Sequence, residues 1–198
     1  MTRIAGALVA LHCATALISL VLAYPAQAQP RGVDGVPLTS VPRIVISGGG
    51  DARVPLVHAA VAHWNGILAG IGSGFRLGPV SQGGGGGGQT GAIVVVLSDG
   101  EFISHVNRLP GGQGAVAMIR NMNGPPTSLP NVMRNVIAHE LGHAIGLGHN
   151  SNPALLMCGR PAPCRPALFM SQTPRYFPLS GAERSRLLAM YPPGWKGR

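Results

Sequence analysis

The chemistry-bearing feature of this chain is a run of three histidines and one glutamate within residues 139–149, which read HELGHAIGLGH. His139, Glu140, His143, Gly146 and His149 fill all five fixed positions of the zinc signature H-E-x-x-H-x-x-G-x-x-H. A match at five fixed positions arises by chance at about three in ten million start sites, so coincidence is a poor account of it.

The spacing dictates the chemistry. His139 and His143 are four residues apart, which on an α-helix puts both imidazoles on one face, one turn apart. Two neutral ring nitrogens there can grip one Zn²⁺ at about 2.0–2.1 Å. Glu140 is one residue on, about 100° around the helix, so it flanks the metal without ligating it. A third ligand must come from beyond the helix. Gly146 suits the sharp turn this needs, because glycine enters the left-handed conformation without a Cβ clash, and His149 then returns as ligand three. Three protein ligands leave a fourth position to water, the arrangement of a catalytic zinc. The metal lowers the water's pKa to about 7 and stabilises the developing oxyanion. Glu140 is the expected general base, passing the proton to a leaving amine.

Beyond His149 the chain runs Asn150-Ser151-Asn152-Pro153-Ala154-Leu155-Leu156-Met157. With the zinc signature, this resembles the metzincin zinc endopeptidases, and the matrixin (matrix metalloproteinase-like) branch in particular. The Ala-Leu-Leu-Met run is similar to the matrixin Ala-Leu-Met. The resemblance implies that Met157 is the Met-turn methionine, flooring the metal site without binding zinc; Met170 is the competing candidate. Gly159 stands where other metzincins carry a tyrosine, so no tyrosine ligand is expected. Met118 stands where matrixins place a histidine of a second, structural zinc. Neither that zinc nor calcium is therefore supported by the residues present. Arg31-Gly32-Val33-Asp34 carries no cysteine, so a thiol-switch pro-segment is not expected.

The elements needed to position these residues imply an α+β domain of the metzincin (zincin-like) type: a twisted mixed sheet, an active-site helix, a Met-turn and a C-terminal helix. Arg43–Ser47 looks like a first strand. A helix from Pro55 carries Val57, Val61, Trp64 and Leu68 at helical spacing. The β-branched run Gly91–Leu97 reads as a buried strand. Gly114, Ala115, Val116 and Ala117, continuing to Ile119, resemble the strand edging the substrate cleft, where an extended peptide would add by strand pairing. The active-site helix is expected from near Ser128, with Val132, Val136 and Leu141 on its apolar face. Ser180-x-x-Glu183 is a capping box opening a last helix that stops before Pro192 and Pro193. The Gly83–Gly88 run reads as a flexible surface loop that cannot pack.

Residues 1–28 look like a signal peptide, with Arg3, an apolar stretch from Ile4 to Ala23, and an Ala26-Gln27-Ala28 cleavage site. An uncleaved anchor is the alternative; His12 before Cys13 gives no lipobox. Residues 29–198 then form one domain with one core, secreted to the periplasm or outside. Of the chain's three cysteines, Cys158 and Cys164 remain after the leader. An even count in an exported chain points to a disulfide, worth about 2 kcal/mol for so short a loop; free thiols are the alternative. The formal charge is +9, with 15 Lys and Arg against 6 Asp and Glu. The arginines are scattered, so a specific nucleic-acid partner is not expected, although attraction to an anionic envelope is. His58, His63 and His105 read as structural or surface residues.

The reading is a monomeric, secreted zinc endopeptidase acting on peptides or proteins. Two alternatives stay open: an exported cationic binding protein with a structural or vestigial metal site, and a zinc amidase acting on cell-wall peptides.

Overall fold

The computed structural model describes residues 35–83 and 87–197. The expected leader, residues 1–28, and the alternatives attached to it lie outside these residues.

The chain forms β1 (Arg43–Ser47), α1 (Val54–Gly70), β2 (Val80–Gln82), β3 (Ala92–Leu97), β4 (His105–Arg108), β5 (Gly114–Ile119), α2 (Pro130–Ala144) and α3 (Gly181–Met190). The five strands make one mixed sheet in the order β2-β1-β3-β5-β4. β1 runs parallel to β2 and β3, and β3 parallel to β5, while β4 is antiparallel to β5. This α+β arrangement agrees with the expected mixed sheet.

The edge assignment needs correction. Gly114, Ala115, Val116 and Ala117 are not at the edge: they pair with Ala92, Ile93, Val94 and Val95 on one side. On the other side Val106, Asn107 and Arg108 pair with Ala117, Val116 and Ala115. Both backbone faces of β5 are therefore occupied, and β4 is the terminal strand. His105-Val106-Asn107-Arg108 has a single apolar residue and no strand signal of its own. It forms because the turn around Gly112 folds it back on β5, with Leu109 donating to the carbonyl of Gly114 at 2.9 Å.

Side chains alternate across the sheet as the pleat requires. Ile44, Ile46, Ile93, Val95, Leu97, Ala115, Ala117 and Ile119 face the helices and join Val57, Trp64, Leu68, Met133, Ile137 and Leu141 in the main core. Val45, Ala92 and Val94 face the other way, with Val96 and Val116 packed on them. The described ends of the glycine run, Gly83 and Gly88, are exposed and lie close against this outer face. A Cβ on Gly83 would lie 3.0 Å from Val45 Cγ1, and one on Gly88 2.7 Å from Leu109 Cδ2. Absence of side chains is what lets the backbone lie this close.

The active-site helix opens at Pro130, two residues later than expected. A residue preceding proline is driven out of the α region, and Leu129 is extended (φ −76°, ψ 122°). The capping box at α3 forms as read: Glu183 N donates to Ser180 Oγ at 3.1 Å and Ser180 N to Glu183 Oε2 at 2.7 Å. Trp64 Nε1 donates to the Ala138 carbonyl at 2.8 Å, locking α1 against α2 one residue before the signature. Tyr191, after α3, accepts from Leu38 N at 2.9 Å and donates to the Ile145 carbonyl at 2.8 Å. The N-terminal strap and the end of α2 thus share one hydroxyl.

Candidate metal centre

α2 carries His139 and His143 on one face, then ends as the sequence demands. Gly146 has φ +103°. Leu147 N donates to the Gly142 carbonyl at 3.0 Å and Gly146 N to that of His143 at 2.9 Å, the paired bonds of a Schellman helix end. The chain reverses there and brings His149 back. The Nε2 atoms of His139 and His143 are 3.0 Å apart, those of His143 and His149 2.9 Å, and those of His139 and His149 3.1 Å.

The short separation of His139 from His143 is not a hydrogen bond. His139 Nδ1 lies 2.8 Å from the Leu156 carbonyl and His143 Nδ1 2.7 Å from that of Leu147. A carbonyl only accepts, so each Nδ1 carries the proton and each Nε2 presents a lone pair. Burial, then the neighbouring His143, pushes His139 well below the usual imidazole range, which keeps it neutral. Converging lone pairs are unfavourable unless a cation lies among them. A tetrahedral ion with bonds of about 2.0–2.1 Å spaces its ligand atoms about 3.3 Å apart, a few tenths of an ångström from what is found. These three residues also form the group among the described residues that is able to hold a metal ion. The donor set thus fits zinc, three imidazoles and no thiolate.

Glu140 is 4% exposed. Its Oε2 is buried without a hydrogen-bond partner, and desolvation pushes the carboxyl up to about 8. A dication nearby favours the ionised form and opposes this shift. A buried, orphaned carboxylate oxygen on the residue next to His139 is a feature that marks candidate functional sites.

Met157 is fully buried and lies directly on the ligand helix. A Cβ on Gly142 would sit 2.5 Å from Met157 Sδ and 3.0 Å from Trp64 Cζ2, so Gly142, at a variable position between the two helix histidines, is where the methionine packs. Met170 is 36% exposed in a separate 3-10 turn over Ala167–Met170. A Cβ on Gly159 would lie 3.0 Å from the His149 ring, so the residue in the tyrosine position is backbone packed against ligand three.

The expected disulfide is absent. Cys158 and Cys164 are free, the first buried and the second exposed. Cys164 ends a 3-10 turn (Ala162–Cys164) in which Pro161 and Pro163 fix the backbone, leaving its thiol outside. The next residue, Arg165, points inward instead. Its Nη1 donates to the Cys158 carbonyl at 3.2 Å and its Nη2 to that of Leu155 at 2.6 Å. An arginine thus staples the loop that a disulfide was expected to staple.

Two positioning contacts went unread in the sequence. Asn150, immediately after His149, donates through Nδ2 to Glu183 Oε1 at 2.6 Å, so the capping glutamate also tethers the third ligand's segment. Asn131 and Asn135 on α2 hold the segment beyond the Met-turn: Asn131 donates to the Phe169 carbonyl at 3.1 Å and Asn135 accepts from Phe177 N at 2.9 Å. Both asparagines are buried, and their helical spacing of four was the one available signal.

No family model matches this sequence, and no curated protein sequence matches it. Among solved structures, the chain is similar to metalloproteinase-II from Bacteroides fragilis, with a TM-score of 0.51 and 17% identity over 82% of this chain and 56% of that one. The chain therefore spans little more than half of that relative. Archaemetzincin from Methanopyrus kandleri aligns over 81% of this chain and 97% of its own, at 15% identity and a TM-score of 0.45. At such identity the first likeness is one of fold, an α+β domain with a mixed sheet and few helices that this chain shares with a metalloproteinase.

Proposed function

We propose that this chain is an exported zinc-dependent endopeptidase of matrixin-like type, hydrolysing peptide bonds with Glu140 as general base. The observation that carries the reading is the convergence of three imidazole Nε2 atoms within 3.1 Å, with a buried, unpartnered carboxylate oxygen on the adjoining residue.

His139, His143 and His149 would hold the ion through Nε2, and the Leu156 and Leu147 carbonyls orient the first two rings through Nδ1. When bound, zinc supplies Lewis acidity, acidifying water and polarising a carbonyl. Glu140 removes the attacking water's proton and returns it to the departing amine nitrogen, the proton residing on its carboxyl in between. Its buried site keeps that proton from leaking to solvent. An extended substrate would align on the outer edge of β4, the terminal strand of the sheet, by strand addition. The matrixin branch rests on Ala154-Leu155-Leu156-Met157 and on Gly159, and export rests on residues 1–28.

Glu140→Gln in the full chain tests this. We expect one zinc per chain, chelator-sensitive cleavage of a peptide library, and a fall in kcat of about 10²–10⁴-fold for the variant with zinc retained. Wild-type turnover by Glu140→Gln would remove Glu140 as base. One zinc with no cleavage by the wild-type chain would favour a cationic binding protein instead.

A further inference from the structure

We infer that Arg165 is a positioning residue of the metal centre: its guanidinium fixes the turn whose carbonyl orients His139.

Every backbone carbonyl of Leu155–Cys158 has an assigned partner. That of Cys158 accepts from Arg165 Nη1, and that of Leu155 from Arg165 Nη2 at 2.6 Å and from Cys158 N at 3.3 Å. That of Leu156 accepts from His139 Nδ1 at 2.8 Å. That of Met157 accepts from Asn150 N at 2.9 Å. The outer two carbonyls are thus held by one side chain, and the inner two by a metal-ligating residue and the residue after another. The fork spans the turn, and together with the Leu156 N bond to the Pro178 carbonyl at 2.9 Å and the Cys158 N bond to the Leu155 carbonyl it fixes where the Leu156 oxygen lies.

Arg165 is built for this and little else. It is 7% exposed, and its guanidinium lies 4.3 Å from the Phe169 ring centroid and 5.3 Å from that of Phe177. Among the described residues no carboxylate pairs with it; the salt bridges there belong to Arg53. A buried cation without an anion is costly. Here two carbonyl oxygens and two aromatic faces stabilise it. A lysine offers donors from a single atom and cannot bridge two carbonyls as the planar fork does.

Arg165 has this role only if the centre holds zinc as proposed above. The test uses the full chain with Arg165→Met and Arg165→Lys, and Ile93→Val as a control that lowers stability from the sheet core, away from the Arg165 fork and its aromatic faces. Zinc affinity is measured by chelator competition, and ligand geometry by the visible spectrum of the Co²⁺-substituted protein. We expect Arg165→Met to weaken zinc binding about 10–100-fold, the range for residues that orient metal ligands, and to shift the Co²⁺ bands. Arg165→Lys should fall between it and wild type. Ile93→Val should lower the melting temperature without moving either metal readout. If Arg165→Met proves too unstable to purify, the Arg165→Lys comparison decides alone. The inference is overturned if the folded Arg165 variants keep zinc affinity within about twofold of wild type and an unchanged Co²⁺ spectrum, whatever their melting temperatures. Failure of the wild-type chain to bind zinc is a different outcome, which overturns the peptidase reading and this role with it.

Discussion

Gly142→Ala should reverse a rule that ordinarily favours it. Gly142 lies inside the 15-residue helix α2, where alanine is worth about 1 kcal/mol more than glycine. The added Cβ would lie 2.5 Å from Met157 Sδ, 2.9 Å from Met157 Cε and 3.0 Å from Trp64 Cζ2. Ordinary contacts are about 3.5–4.0 Å, so the sulfur must retreat by about 1 Å. Neither neighbour yields cheaply, since both are fully buried and Trp64 is tied to the Ala138 carbonyl. Overpacking of this kind costs about 1–3 kcal/mol, which offsets the helix gain and leaves a net loss of about 0–2 kcal/mol. The larger effect is on the metal. If Met157 retreats, the adjacent Leu156 carbonyl moves from His139 Nδ1, and zinc affinity should fall about tenfold or more. Thermal unfolding with chelator competition measures both. On a Met157→Ala background the same substitution should recover its helix gain, giving a coupling of about 1 kcal/mol or more. A Gly142→Ala protein melting about 2–4 °C higher, as 1 kcal/mol would raise a domain of this size, with unchanged zinc binding, would refute the packing argument.

Two other perturbations are read from single residues. His63 stacks on Tyr176 at 3.8 Å between ring centroids, and burial, then Arg134, pushes it down to about 4. The unfolded chain therefore binds more protons than the folded one below the usual value of 6.5, so stability is full above about pH 6.5 and declines as pH falls toward 4. His63→Gln should flatten that decline in urea titrations run between pH 7 and pH 4.5; an unchanged slope excludes His63 as its source. Of Cys158 and Cys164, only Cys164 should react with a thiol reagent in the native protein, both should react after denaturation, and reductant should leave the melting temperature alone. A denatured, unreduced protein in which neither thiol reacts would restore the bridge.

The site was legible in the sequence to the extent that its geometry is local. His139, His143 and Gly146 are related by helix pitch and a helix end, and Ser180 and Glu183 by a first turn, so spacing alone defined them. Strand order was not legible, because pairing depends on contacts far apart along the chain. β5 reads as a strand either way, and only the fold-back of the polar segment His105–Arg108 buries its edge. Cysteine pairing failed for a similar reason. Parity counts thiols, but a bridge needs facing Cβ vectors, and Pro161 and Pro163 turn Cys164 outward. Arg165 carries no sequence signal at all, since nothing marks an arginine whose partners are backbone carbonyls seven and ten residues earlier.

The glycine run has a consequence for the company this protein keeps. Val45 and Val94, with Val116 beside them, form a greasy strip of the sort that makes soluble proteins stick to one another when laid bare. What shields part of it is bare main chain at two points, against Val45 at Gly83 and against Leu109 and Val116 at Gly88. A methyl at either point meets a side-chain tip that can give way, whereas a bulky side chain there acts as a wedge under the cover. A bulky residue at Gly88 should therefore reveal itself first as clumping in concentrated samples, while the histidine cluster on the far side of the sheet keeps its arrangement.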